Sequence, residues 1–159
     1  MKAWHLILLT ALIVGCAPAP QAQVPDAEVE TTLVAHAHRW VDTWNNNDVE
    51  RMSRLHAADV SLQLYGIGDA FVTMDELLEE LREENFWKLS WSINMVEPRV
   101  RRLGAEAALV AFRLVGKETR SDGSSRPYAA AYSLVFQRDR HNWKIVHVHS
   151  SSGRAPGQH

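Results

Sequence analysis

His147 and His149 stand two apart in the run Trp143-Lys144-Ile145-Val146-His147-Val148-His149-Ser150. On a strand they share one face. A His-x-His pair can hold zinc, but it needs a third ligand. His36 and His38 fall on a helical stretch and point about 200° apart, so at most one of them could join. We therefore expect no metal. The pair is assigned to a subunit interface or to hydrogen bonds within a sheet. Arg113 is the second candidate. It lies between Phe112 and Leu114 in the apolar run from Ala107 to Val115. A guanidinium buried there must be paired. Either it lines an anion-binding pocket, or it makes a structural ion pair to Asp42 or Glu97.

Catalysis finds little support. Proton transfer needs a buried acid or base, and residues 126–137 and 143–152 contain no Asp or Glu. Glu97 and Glu106 fall near strand ends, and Asp42 falls on a helix, where solvation is the default. Ser150-Ser151-Ser152 follows a histidine, but no Gly-x-Ser-x-Gly elbow accompanies it. No glycine loop that could cradle phosphate is present. The net charge of −2 argues against a nucleic-acid surface, and Arg99, Arg101 and Arg102 form the only dense basic run. That run reads as a solvated strand edge. No cofactor is implied.

These residues must be positioned by helices at the front of the chain and strands behind. Val29, Leu33, Ala37, Trp40 and Trp44 recur at helical spacing and end at Asn45-Asn46-Asn47. Asp48 caps a short second helix carrying Val49, Met52 and Leu55. Ser61-Leu62-Gln63-Leu64-Tyr65 alternates as a strand and ends at Gly66 and Gly68. Thr73-Met74-Asp75-Glu76 is a capping box opening a third helix. From Ser90 the period becomes two, and four strands follow by successive hairpins: one with Trp91, Ile93 and Met95 inward, then Ala107 to Val115, Tyr128 to Phe136, and Trp143 to Ser151. The fold class is α+β, with helices gathered on one side of a curved antiparallel sheet. The expected pocket lining is Arg113, Trp44, Tyr132, Leu134, Val148 and Ser150. Trp143, His147 and His149 are expected on a face that packs against a second subunit.

The amino terminus reads as an export signal. Lys2 precedes an apolar stretch from Leu6 to Val14, too short to span a bilayer, which needs ~20 residues. Ile13-Val14-Gly15-Cys16 resembles a bacterial lipobox, which implies cleavage before Cys16 and lipid on its thiol. Cys16 is the only cysteine, and lipidation accounts for an otherwise unpaired thiol in an exported chain. Residues 1–15 are the signal peptide. Residues 16–27 form a tether, with Pro18, Pro20 and Pro25 too polar and stiff to fold. Residues 28–156 are one domain, and 157–159 a tail. The resemblance implies a lipid-anchored protein of the bacterial envelope, on the periplasmic face of the outer membrane because Ala17 follows the cysteine.

The element order resembles the nuclear-transport-factor-2-like superfamily, which includes SnoaL-like cyclases and ketosteroid isomerases. The last-strand run from Trp143 to Ser150 is similar to the association domain of calmodulin-dependent kinase II, as are Asn46-Asn47-Asp48-Val49-Glu50 and Arg154-Ala155-Pro156. The resemblance implies a cone-shaped sheet wrapped around three N-terminal helices, enclosing a pocket, with self-association, a dimer by default. It places Arg113 on one of that family's pocket arginines. It also shows Ser150 and Leu134 standing where two others would be. The expected function is an envelope-anchored module that binds a small, partly apolar molecule, with one carboxylate near Arg113, or that oligomerises. The alternative is a small cofactor-independent cyclase, isomerase or dehydratase using histidine or tyrosine for proton transfer.

Overall fold

The structure is a computed structural model and describes residues 26–63, 73–83, 88–140 and 142–152. The lipobox with Cys16, the turn at Gly66 and Gly68, and the tail at Arg154 lie outside the described residues. No helix among those described is long and apolar enough to cross a membrane.

Helix α1 spans Asp26–Asn45 and α2 spans Val49–Leu55. The Asp48 side chain caps α2 by accepting from the backbone N–H of Arg51 at 2.9 Å. Strand β1 spans His56–Gln63, beginning five residues before the alternation that announced it. Helix α3 spans Met74–Glu83, and its capping box forms: the N–H of Thr73 donates to the Glu76 carboxylate at 2.6 Å. Four long strands follow: β2 (Leu89–Arg102), β3 (Ala107–Arg120), β4 (Ser125–Asp139) and β5 (Asn142–Ser152).

The sheet order is β1-β5-β4-β3-β2. The last four strands pair antiparallel, while β1 lies parallel to β5. Helix α1 packs across the inner face. Leu33, Ala37, Trp40 and Trp44 of α1 are buried against Val110, Phe112, Leu114, Leu134, Phe136 and Val148. Each such side chain contributes ~1.5–3 kcal/mol when removed from water.

The asparagines that end α1 also close an edge. Asn45 donates to the carbonyl of Ile93 and accepts from its N–H, both at 2.9 Å. Asn47, in the left-handed region at φ 49°, donates to the carbonyl of Leu89 at 3.1 Å. A side-chain amide carries one donor and one acceptor group, as a peptide does. It therefore satisfies the free edge of β2, which would otherwise invite another strand.

His56 begins β1 with only 6% of its surface exposed. Its Nδ1–H donates to the carbonyl of Met52 at 2.8 Å, which fixes the neutral tautomer. Burial lowers its pKa from 6.5 to about 4; the Met52 bond opposes this, and the charge of Lys144 adds to it. Below pH 6.5 the unfolded chain takes up a proton here that the folded chain refuses until about pH 4. The stability His56 contributes is thus complete above pH 6.5 and is lost as pH falls to 4, amounting to roughly 3 kcal/mol. Half-buried His36 shifts to about 4 as well, through burial first and then Arg39 and Lys144, so the acid loss has a second contributor. Urea midpoints measured from pH 7 to 4 should fall accordingly. His56→Gln should flatten the curve, and an unchanged slope in that variant would remove His56 from the account.

Candidate functional site

Antiparallel partners share a face, and that rule assembles the inner wall. Tyr132 pairs with Phe112 on one side and Ser150 on the other, while Leu134 pairs with Val110 and Val148. Tyr132, Leu134, Val148 and Ser150, four of the six expected lining residues, thus form one cross-strand patch, all buried. Trp44 joins them from α1.

Aromatic rings extend this patch and close on themselves. Trp40 meets Trp44 at 5.6 Å between ring centres, Trp44 meets Trp91 at 6.0 Å, and Trp91 meets Tyr128 at 5.1 Å, each edge to face. The hydroxyl of Tyr128 lies 2.7 Å from that of Tyr132, and Tyr132 returns to Trp40 at 5.3 Å. Phe112 stacks on Tyr132 at 5.8 Å. Trp91 and Tyr128 are half-buried and form the outer end. Within this ring the indole Nε1–H of Trp40 is buried and has no hydrogen-bond partner among the described residues. An orphaned donor of this kind costs ~1–3 kcal/mol.

The tyrosine hydroxyls stay protonated. Burial raises the Tyr132 pKa well above 10, with Tyr128 adding to it and a bond to Ser150 opposing it. Burial raises Tyr128 as well, while its bond to Tyr132 lowers it. The pair is therefore a hydrogen-bonding terminus rather than a source of phenolate.

Glu118 is the acid that sequence reasoning missed. Strand β3 was expected over Ala107 to Val115, the length of its apolar run. It runs on to Arg120, and its alternation carries inward from Phe112 and Leu114 through Gly116 to Glu118. Glu118 pairs with Trp91 on β2 and Arg126 on β4. Its two carboxylate oxygens accept from Nε of Arg126 at 3.0 Å and from Nη2 at 2.8 Å, a bidentate ion pair. The spacing of both charges around the turn Ser121-Asp122-Gly123-Ser124 is the signal that could have found it. With both oxygens engaged, Glu118 is not a free base.

Two expectations are corrected. Arg113 is exposed on the outer face of β3, opposite Ala131, because its neighbours Phe112 and Leu114 take the inner face. It does not line the inner wall, and no carboxylate among the described residues lies within ion-pair distance of it, Asp42 and Glu97 included. Trp143 is buried in the core and does not share a face with His147 and His149. The reason is a bulge: Val135 pairs with His147 but Phe136 with Ile145, so Val146 is an extra residue that reverses the alternation. Trp143, Ile145, Val148 and Ser150 point inward, and His147 and His149 point outward. No cluster of three metal-ligating side chains occurs among the described residues.

The match to known proteins follows this geometry. The family model for the calcium/calmodulin-dependent protein kinase II association domain matches residues 29–154. The chain belongs to that association-domain family. Among solved structures, the association domain of the kinase from C. elegans is 18% identical over 80% of this chain and 98% of its own, with a TM-score of 0.67. A ketosteroid isomerase-like protein from Erwinia carotovora is 21% identical over 79% and 96%, with a TM-score of 0.69. A nuclear transport factor 2-like superfamily protein from Salmonella enterica is 17% identical over 85% and 99%, with a TM-score of 0.69. A search of curated proteins finds no match.

The sheet presents two chemically different faces. The inner wall is aromatic and carries hydroxyls. The outer face carries small and aliphatic residues, Leu109, Ala111, Val115, Ala129, Ala131, Ser133 and Val135, with the cations Arg99, Arg101, Arg113 and Lys117 and with His147 and His149 among them.

Proposed function

We propose that this domain is a self-associating, small-molecule-binding module held at the bacterial envelope through Cys16. The ligand is a small, flat, largely apolar molecule with one hydrogen-bond acceptor, held against the inner aromatic ring. The observation that carries this reading is the buried, unpartnered Trp40 Nε1–H beside the Tyr128–Tyr132 hydroxyl pair. Aromatic walls bind flat rings, and the orphaned donor rewards an acceptor oxygen. A ligand carboxylate gains nothing from Arg113, which faces away. Proton-transfer catalysis is the weaker reading, because the tyrosines resist ionisation and Glu118 is fully engaged by Arg126.

The occupant proposed for the outer face is a second copy of the chain. Membership of an association-domain family supports this, and so does the face itself. Small side chains let two sheets approach closely, and a two-fold axis makes one patch its own complement. Arg113, His147 and His149 supply its polar contacts.

Native mass spectrometry on protein extracted from membranes tests all three parts. The expected result is a multimer whose Cys16 peptide carries acyl mass and which releases a small molecule on activation. Trp40→Phe keeps the ring and removes the donor, so it should lose that molecule while remaining assembled. A bare monomer refutes the assembly reading. Retention of the molecule by Trp40→Phe refutes the inner site, and an unmodified Cys16 refutes the anchor.

A further inference from the structure

At the end of the sheet away from Glu118, a concavity of about 420 Å³ opens beside β1 and the β4–β5 hairpin. It owes its existence to an irregular register. Between His56 and Ser61 the β1 chain advances five residues while β5 advances only from Ile145 to His147. Residues 57–60 bow away from β5, and the gap exposes Val146, the bulged residue of that strand.

Four charged side chains line this hollow: Asp59, Arg138, Asp139 and Lys144. None forms an ion pair with another. The Nε–H of Arg138 is buried and has no acceptor among the described residues. Lys144 donates to the carbonyl of Arg54 at 2.5 Å, near the end of α2, where a cation is favoured by the helix dipole. An ammonium has three donors, so others remain for a ligand. Lys144 also lies near enough to the buried imidazole of His56, which lines the same hollow, for its charge to lower the pKa of that ring. Asp59 and Asp139 are exposed. A bare anion would meet their repulsion, and a bare cation would meet that of Lys144 and Arg138.

We infer that the hollow binds a small zwitterion of the amino-acid type, with its carboxylate on Lys144 and Arg138 and its ammonium toward Asp59 and Asp139. This inference is independent of the aromatic site and of the outer face. It rests on two cations and two carboxylates that share one concavity without neutralising each other.

Amide chemical shifts followed during titration with glycine, acetate and methylammonium test it at neutral pH. Glycine should perturb residues 56–59 and 137–146 and bind up to about fivefold more tightly than either half, as one extra ion pair allows. Asp59→Asn should reduce that advantage, with Asp139 left as the remaining carboxylate, while leaving acetate binding equal or stronger. Asp59 is exposed, so this variant does not threaten the fold. Lys144→Met should weaken glycine and acetate alike. Acetate binding as tightly as glycine, or glycine binding unchanged in Asp59→Asn, overturns the inference.

Discussion

Gly116→Ala is expected to destabilise the protein by about 3 kcal/mol or more, at the upper end for inserting a single carbon into a packed site. A Cβ on Gly116 would stand 2.0 Å from the carbonyl oxygen of Ser92 and 2.8 Å from the Cα of Ile93. Both are backbone atoms of β2, so no side-chain rotation relieves the overlap. The strand cannot retreat cheaply either, because Ile93 is held on its far edge by both hydrogen bonds from Asn45. The clash must therefore open the β2–β3 ladder or break the link to α1. Urea unfolding measures it, and the thermal midpoint should drop by roughly 10 °C for a chain of this size. A loss below about 1 kcal/mol would mean that β2 yields locally, against the pinning argued here.

The second large effect is an asymmetry. Arg126→Ala should cost about 3 kcal/mol, and Glu118→Gln markedly less, although both break the same ion pair. The partners differ in exposure: the side chain of Glu118 is 3% exposed and that of Arg126 is 65% exposed. Removing the arginine strands a carboxylate in the protein interior, with only the Arg120 guanidinium left, at 3.9 Å. Removing the charge of Glu118 leaves an arginine that water already solvates. Glu118→Gln combined with Arg126→Ala should recover much of the loss of Arg126→Ala alone. Stability measured on the two single variants and the double variant gives the coupling directly. Equal costs for the two single variants would contradict the assignment of Glu118 as the buried member.

Much of the architecture was legible in the residues. The helix caps at Asp48 and Thr73 use side-chain chemistry that acts within four residues, and both formed. The inward set of β2 followed from simple alternation, with Ile93 buried and Trp91 and Met95 packed against the core. The grouping of Tyr132, Leu134, Val148 and Ser150 was also readable, since parity along each strand places them on one side. Two errors have different causes. Parity holds only while a strand is regular, and the extra residue Val146 turned Trp143 inward while His147 and His149 stayed outward. Arg113 was placed by resemblance, and its own strand, with Phe112 and Leu114 buried on either side, sent it outward.

The sequence by itself determined the α+β order, the capped helices and the aromatic inner set, because those depend on local chemistry and short periods. Only the tertiary structure decided the parallel β1–β5 pairing, the inward Glu118 with its arginine, the Asn45 clasp on β2 and the charged hollow at β1. Each of these joins residues remote in the chain or follows from a register shift. No local pattern specifies a register, which is set by how whole strands fit against one another and against α1.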